Sequence, residues 1–126
     1  MQEVKSAALF VKVLKAEGFQ VEEGICNIPT AFSASYGSGK PVIGFLAEYD
    51  ALSGLSQAAG STEYHELVKG GSGHGCGHNL LGAGAMAAAI GMKHYLEQTG
   101  CPGTVILYGC PGEEGVASKA DTARRG

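Results

Sequence analysis

The sequence lacks the features of several common functional classes. Its 126 residues carry a net charge of −3, and its lysines are scattered, so it has no basic surface of the kind that binds nucleic acid. The longest apolar stretches, 42–47 and 105–107, are far shorter than the roughly 20 residues that span a membrane. The start lacks the charged-then-apolar layout of a secretory signal, which makes the cytoplasm the expected compartment.

The four cysteines are too few and too unevenly spaced for a disulfide scaffold or a zinc ribbon. We interpret Cys26, Cys101 and Cys110 as small buried apolar residues and consider Cys76 separately because of its neighbours. The composition, 44% hydrophobic and 17% charged, is typical of a globular chain, and the length allows one domain. Glycine is abundant, with a dense run over 70–77, and this run is where we expect chemistry.

The apolar pattern predicts a short series of helices and strands. Apolar residues at three- and four-residue steps predict an amphipathic helix over 3–17 that ends at Gly18. Short strands are expected at 19–24 and 29–36, followed by a turn at 37–39. Segments 41–47 and 104–109 are nearly all apolar, as strands covered on both faces by helices would be. Between them, 79–98 predicts a helix with Asn79 as N-cap and Gly100 as its stop, which gives an α/β fold of a mixed sheet flanked by helices.

Polar side chains follow both apolar strands. Glu48 and Asp50 come after the first strand, and Glu113 and Glu114 come after the second. In open α/β sheets, ligands tend to bind beyond the carboxyl ends of the strands. We therefore expect these acids to lie on one rim of the sheet, together with the segment that precedes the helix, which contains His74, Cys76 and His78.

The segment before the helix alternates glycine with potential metal ligands. In an extended segment, a spacing of two would point His74, Cys76 and His78 to the same side. Thiolate and imidazole bind zinc and related ions, and the glycines would let the backbone approach an ion closely. The alternative is a flexible glycine loop whose histidines are merely solvated.

The adjacent glutamates, like the histidines, can be either functional or merely solvated. Neighbouring acids in a polar loop are usually solvated. Directly after a buried strand and near a metal, one of Glu113 and Glu114 could act as a general base towards a bound water while the other binds the ion. Asp50 could be a simple strand-end residue, a metal ligand, or an acid that orients a ligand histidine.

Three motifs in order carry a family resemblance. They are Ala47-Glu-Tyr-Asp50-Ala-Leu, Gly73-His-Gly-Cys76-Gly-His78-Asn79 and Tyr108-Gly-Cys-Pro-Gly-Glu113-Glu114-Gly. The chain resembles the dinuclear metal-dependent amidohydrolases related to aminoacylases and carboxypeptidases, especially the p-aminobenzoyl-glutamate hydrolase-like branch, which have a zinc-exopeptidase-like catalytic domain. The resemblance spans roughly residues 1–126.

The resemblance implies an enzyme that hydrolyses an amide bond in a small N-acyl amino acid or dipeptide-like substrate. It implies that Cys76, His78 and Glu114 bind metal and that Glu113 is the general base and acid. Asp50 and His74 would have supporting roles. Two divalent ions, zinc or manganese, would lower the pKa of a water and polarise the substrate carbonyl. The full-length form would be a homo-oligomer.

The chain also departs from the family pattern. The family has further ligand histidines after the double-glutamate motif and a dimerisation domain inserted in the catalytic one, and residues 1–126 contain neither. We therefore expect residues 1–126 to be the N-terminal part of a catalytic domain, with little activity alone. Gly112 and Ser53 stand where alanine and proline are more usual. The alternatives are a non-catalytic metal-binding fragment and a small α/β association domain with an exposed sheet edge.

Overall fold

A computed structural model describes residues 3–114, which form two helices and a four-stranded sheet. Gly115, which closes the double-glutamate motif, lies outside the described residues. In chain order the elements are helix α1 (Val4–Ala16), strand β1 (Gln20–Glu23), a 3-10 turn (Ile25–Asn27), β2 (Phe32–Ser38), β3 (Val42–Glu48), helix α2 (His78–Thr99) and β4 (Gly103–Cys110).

The sheet is mixed, as the sequence predicts, and its strand order is β1-β2-β4-β3. Strand β2 is antiparallel to both β1 and β4, whereas β3 and β4 are parallel. Parallel neighbours need a long crossover connection, and the segment 49–102, which contains α2, supplies it. In the resulting register Glu48 lies beside Cys110, so β3 and β4 end at the same edge of the sheet. The expected meeting of the two strand ends is confirmed.

Helix α1 forms where the apolar spacing predicts it. Its buried residues Ala7, Phe10, Val11 and Leu14 lie on one side of the helix, and Leu14 is completely buried. The helix ends at Ala16, and the predicted stop, Gly18, lies just beyond the C-cap Glu17 with a φ of +86°. In this left-handed conformation the Gly18 N–H donates to the Lys15 carbonyl and the Phe19 N–H donates to the Leu14 carbonyl.

Helix α2 also matches its predicted range, but its N-cap is different. The prediction of Asn79 as N-cap is wrong, because the cap is Gly77 with a φ of +78° and Asn79 lies inside the helix. The Gly77 carbonyl accepts hydrogen bonds from the N–H groups of Leu80 and Leu81. This cap makes His78 the first residue of the helix. The stop at Gly100 is confirmed by its φ of +66° and the bond from its N–H to the Leu96 carbonyl.

Both helices pack on the same face of the sheet. The register places Ala34, Leu107 and Phe45 across from one another on neighbouring strands. They belong to one core with residues from both helices. The buried members of that core are Ala7, Phe10, Val11, Leu14, Phe19, Phe32, Ala34, Ala47, Tyr49, Ala89, Val105 and Leu107.

The prediction that 41–47 is covered on both faces is therefore wrong for the described residues. Strand β3 lies at the edge of the sheet, and Val42 and Leu46 are 57% and 48% exposed on the face away from the helices. The predicted turn at 37–39 comes slightly later, because Gly37 and Ser38 still belong to β2.

The cysteines divide between buried and exposed positions. Cys110 is buried as expected, and this burial raises the pKa of its thiol to about 11. Cys26 is half-buried, and Cys101 is exposed, so the expectation of a buried apolar role is wrong for Cys101. Within residues 3–114, neither helix has the length and apolar character that crossing a membrane requires.

Candidate metal centre

His78 lies at the point where α2 begins beside the ends of β3 and β4. It is 4% exposed, although imidazole is polar. Its Nδ1 lies 2.9 Å from Oδ1 of Asp50, and its Nε2 lies 3.0 Å from Oε2 of Glu48. Oε1 of Glu114 is 3.9 Å from the same Nε2. One buried imidazole is thus surrounded by acids from the ends of both strands.

Asp50 connects the two segments that carry candidate ligands. One carboxylate oxygen pairs with Nδ1 of His78, and the other accepts a hydrogen bond of 3.2 Å from the backbone N–H of Glu114. Asp50 is only 5% exposed, so both bonds are shielded from water. Because Asp50 occupies Nδ1, the nitrogen that His78 can offer to a cation is Nε2.

Cys76 lies in the turn that leads into α2 and is exposed. Its Sγ, a ring nitrogen of His78 and a carboxylate oxygen of Glu114 all lie within 4.8 Å of one another. A hydrogen bond to Glu114, desolvation and the charges of Glu114, Glu113 and Asp50 raise the pKa of the Cys76 thiol. A divalent cation would offset this negative charge, and a sulfur, nitrogen and oxygen donor set is one that zinc accepts. These residues fit a metal ion.

A second group of potential ligands shares His78 with the first. Carboxylate oxygens of Glu48 and Glu113 lie within 4.8 Å of a ring nitrogen of His78 and of each other. The sequence analysis places Glu48 on this rim but gives it no ligand or catalytic role. The alternation of the strand could have indicated it, because Glu48 and Asp50 point to one side while Tyr49 points into the core and is 3% exposed.

His74 lies apart from both groups. The segment 74–78 is not extended, because the Gly77 N–H donates to the His74 carbonyl and closes a turn. The expected geometry, with three side chains on one side, is therefore wrong. His74 is exposed and lines a cavity of about 220 Å³ together with Tyr49 and Asn79. The structure brings together Cys76, His78, Glu113, Glu114 and Asp50 of the predicted site residues.

The fold has counterparts among solved structures of metal peptidases. A dinuclear metal-binding peptidase of the M20 family from Bacillus subtilis superimposes with a TM-score of 0.65 at 22% identity, covering 86% of this chain and 29% of that one. This likeness shows that the chain shares its fold with that peptidase, as the family resemblance implies. No family model matches the chain.

The sequence has curated relatives among hydrolases. It is 54% identical over 125 residues to a subunit of the p-aminobenzoyl-glutamate hydrolase of Escherichia coli K12, a match that covers 99% of this chain and 26% of that protein. It is 34% identical over 109 residues to the Xaa-Arg dipeptidase of Mus musculus, which covers 79% of this chain and 21% of that protein. The chain belongs to the family of metal-dependent amidohydrolases and peptidases, on the branch of p-aminobenzoyl-glutamate hydrolase. It spans about a quarter of the length of these relatives.

Proposed function

We propose that this chain forms part of the catalytic domain of an enzyme that hydrolyses an amide bond in a small N-acyl amino acid or dipeptide-like substrate. The observation that supports this most is the grouping of Cys76, His78 and Glu114 within 4.8 Å at the carboxyl edge of the sheet. The names of the relatives describe a hydrolase of p-aminobenzoyl-glutamate and a dipeptidase. Both descriptions refer to compounds with an amide bond at an amino acid.

In this proposal Cys76, His78 and Glu114 hold divalent cations, zinc or manganese, and Asp50 orients His78 through Nδ1. When bound, such ions polarise the substrate carbonyl and lower the pKa of a water. The fold-related peptidase is described as dinuclear, which supports two ions. His74, at the rim of the neighbouring cavity, keeps its proposed supporting role.

Glu113 is the proposed general base and acid. Its carboxylate is half-buried in the turn after β4, within 4.8 Å of His78 and Glu48. From this position it takes a proton from the attacking water and then donates that proton to the nitrogen of the leaving amine. Glu114, next along the chain, faces Cys76 and His78 instead.

The proposed setting is the cytoplasm, with copies of the enzyme assembled as an oligomer. The relative from Escherichia coli is named as one subunit of its enzyme, which supports an assembly of chains. Because the chain spans 26% of that relative, we expect the 126-residue protein alone to bind metal at less than full occupancy and to show little amidase activity.

The two adjacent glutamates provide the decisive test. In a protein extended to the length of the relatives, we expect Glu113→Gln to keep its metal and lose kcat by at least about 100-fold, because an amide cannot transfer protons. Glu114→Gln should lose metal and kcat together, since an amide oxygen is the poorer ligand for a divalent ion. Metal stoichiometry is measured beside kcat, with Glu22→Gln on exposed β1 as control. The assignment is wrong if Glu113→Gln is the variant that loses its metal.

A further inference from the structure

The carboxylate of Glu48 is the part of this centre to which the family motifs give no role. Its side chain is 8% exposed, at the end of β3. Burying a carboxylate is unfavourable unless it is paired with a positive group or a metal. Its Oε2 lies 3.0 Å from Nε2 of His78, a shorter distance than the 3.9 Å from Oε1 of Glu114 to that nitrogen.

The bond that Asp50 makes determines on which side of His78 a cation would lie. Since Asp50 occupies Nδ1 of His78, any cation bound by this imidazole is at Nε2. Two ligand atoms on one tetrahedral zinc ion, each about 2.1 Å from it, are separated by about 3.4 Å. The distances from Nε2 to Glu48 and Glu114, 3.0 and 3.9 Å, lie on either side of this value.

A second observation is the closeness of two acids. Carboxylate oxygens of Glu48 and Glu113 lie within 4.8 Å of each other and of a ring nitrogen of His78. Two carboxylates at this separation repel each other unless a positive charge lies near both. A divalent cation at Nε2 would be adjacent to both acids.

We infer that Glu48 is a direct ligand of a divalent cation, on the Nε2 side of His78. This inference rests on the proposed metal centre and adds to it a protein ligand that the structure groups with His78 and Glu113. It also places the cation next to Glu113, which the proposed proton transfer requires. The alternative is that Glu48 only pairs with His78 and never contacts the metal.

The test measures zinc affinity of the 126-residue chain by competition with a chromophoric chelator. We expect Glu48→Gln to weaken zinc binding by about tenfold or more, because it replaces a charged donor with a neutral one. Glu48→Asp keeps the charge but has a shorter side chain, so we expect a smaller loss. Glu22→Gln, on exposed β1, should bind zinc as the wild type does. X-ray absorption of the zinc-loaded proteins should show the oxygen donor of residue 48 weakened or lost in Glu48→Gln.

Cys76→Ser separates failure of this inference from failure of the proposed function. If Cys76→Ser weakens zinc binding while Glu48→Gln does not, Glu48 is not a ligand and the metal centre stands. If neither variant changes the affinity, the proposed metal centre itself is wrong. If Glu48→Gln is unfolded by circular dichroism, Glu48→Asp decides. Wild-type affinity and donor count in Glu48→Asp would then overturn the inference, and a reduced affinity with a lost oxygen donor would support it.

Discussion

At the scale of single residues, the three consecutive side chains 48–50 at the end of β3 have two different roles. Glu48 and Asp50 face His78, whereas Tyr49 lies in the core beside Phe10 and Phe32. The Tyr49 hydroxyl donates to the Thr30 carbonyl, and burial raises the pKa of this phenol far above its ordinary value. The core contacts of Tyr49 therefore fix the strand end that carries both acids.

Asp50 provides a prediction at this scale. Asp50→Asn has the same shape but only one acceptor oxygen, so it cannot accept from both His78 Nδ1 and the Glu114 N–H. We expect zinc affinity to fall by about 10- to 100-fold, as when other residues that orient metal ligands are replaced. Chelator competition measures this effect, and far-UV circular dichroism of the metal-free protein is the control for folding. Unchanged zinc affinity in a folded Asp50→Asn would show that Asp50 does not position the ligands.

The type and order of the residues were enough to predict one part of the candidate site, the group of three potential metal ligands. Cys76, His78 and Glu114 do come together, because parallel strands bring their following loops to one edge. His74 does not join them, since the turn closed by Gly77 depends on a left-handed glycine that the spacing could not reveal. Glu48 was expected on this rim, and alternation puts it on the same side as Asp50, but its approach to within 3.0 Å of His78 depends on how α2 packs against β3.

At the scale of elements, α2 approaches the sheet closely near its first turns. Gly82 is buried, and a Cβ at this position would overlap the backbone carbonyl oxygen of Glu48. The absence of a side chain at Gly82 therefore lets the start of α2 lie against the end of β3. This contact keeps His78 within reach of Glu48 and Asp50.

Two glycines in α2 give a matched pair of predictions. Gly82→Ala should destabilise the fold by about 1–3 kcal/mol, because the added methyl group meets backbone that cannot move aside easily. Gly91→Ala should stabilise it by about 0.5–1 kcal/mol, since a Cβ there meets open space and alanine favours helix. Urea denaturation midpoints measure both changes. Equal effects of the two substitutions would contradict the close approach at Gly82.

The other end of α2 is joined to β2 by a polar cluster. The Tyr36 hydroxyl donates to Oε1 of Glu97 at 2.9 Å, and Nζ of Lys93 lies 3.2 Å from the same carboxylate oxygen. Nζ of Lys93 also lies 5.5 Å from the centre of the Tyr36 ring. The hydrogen bond from Tyr36 is the main cause that lowers the pKa of Glu97, while neighbouring Lys93 and His94 lower it further.

The lowered pKa of Glu97 predicts how stability depends on pH. A carboxyl whose pKa is lower in the folded state contributes stability above its unfolded pKa and loses that contribution as the pH falls through the folded value. We therefore expect wild type to be more stable than Glu97→Gln near neutral pH, with a difference that shrinks as the pH drops below the ordinary glutamate value of 4.5. Thermal unfolding across this range is the measurement, with Glu22→Gln as control. A difference that grows towards low pH would contradict the sign.

At the scale of the whole molecule, the described residues form two layers rather than three. The sequence predicted the mixed sheet and both helices, but it also predicted apolar strands covered on both faces. An apolar run such as 41–47 cannot distinguish a central strand from an edge strand, because both can carry the same residues. Whether a strand is central or at an edge depends on how many strands pair with it, and within residues 3–114 β3 pairs with a strand on one side only.

The open face of the sheet provides the last prediction. Val42 and Leu46 are exposed there on an edge strand, and such a strand presents apolar side chains and unpaired backbone groups to other chains. We expect the 126-residue protein to self-associate with rising concentration. Leu46→Lys should shift it towards monomer, because a charge on the edge strand disfavours pairing. Leu9→Lys is the matched control, since Leu9 is 60% exposed on α1 in the helical layer. Sedimentation velocity over a concentration series distinguishes the variants, and the expectation fails if Leu46→Lys associates as strongly as Leu9→Lys or if the wild type stays monomeric throughout.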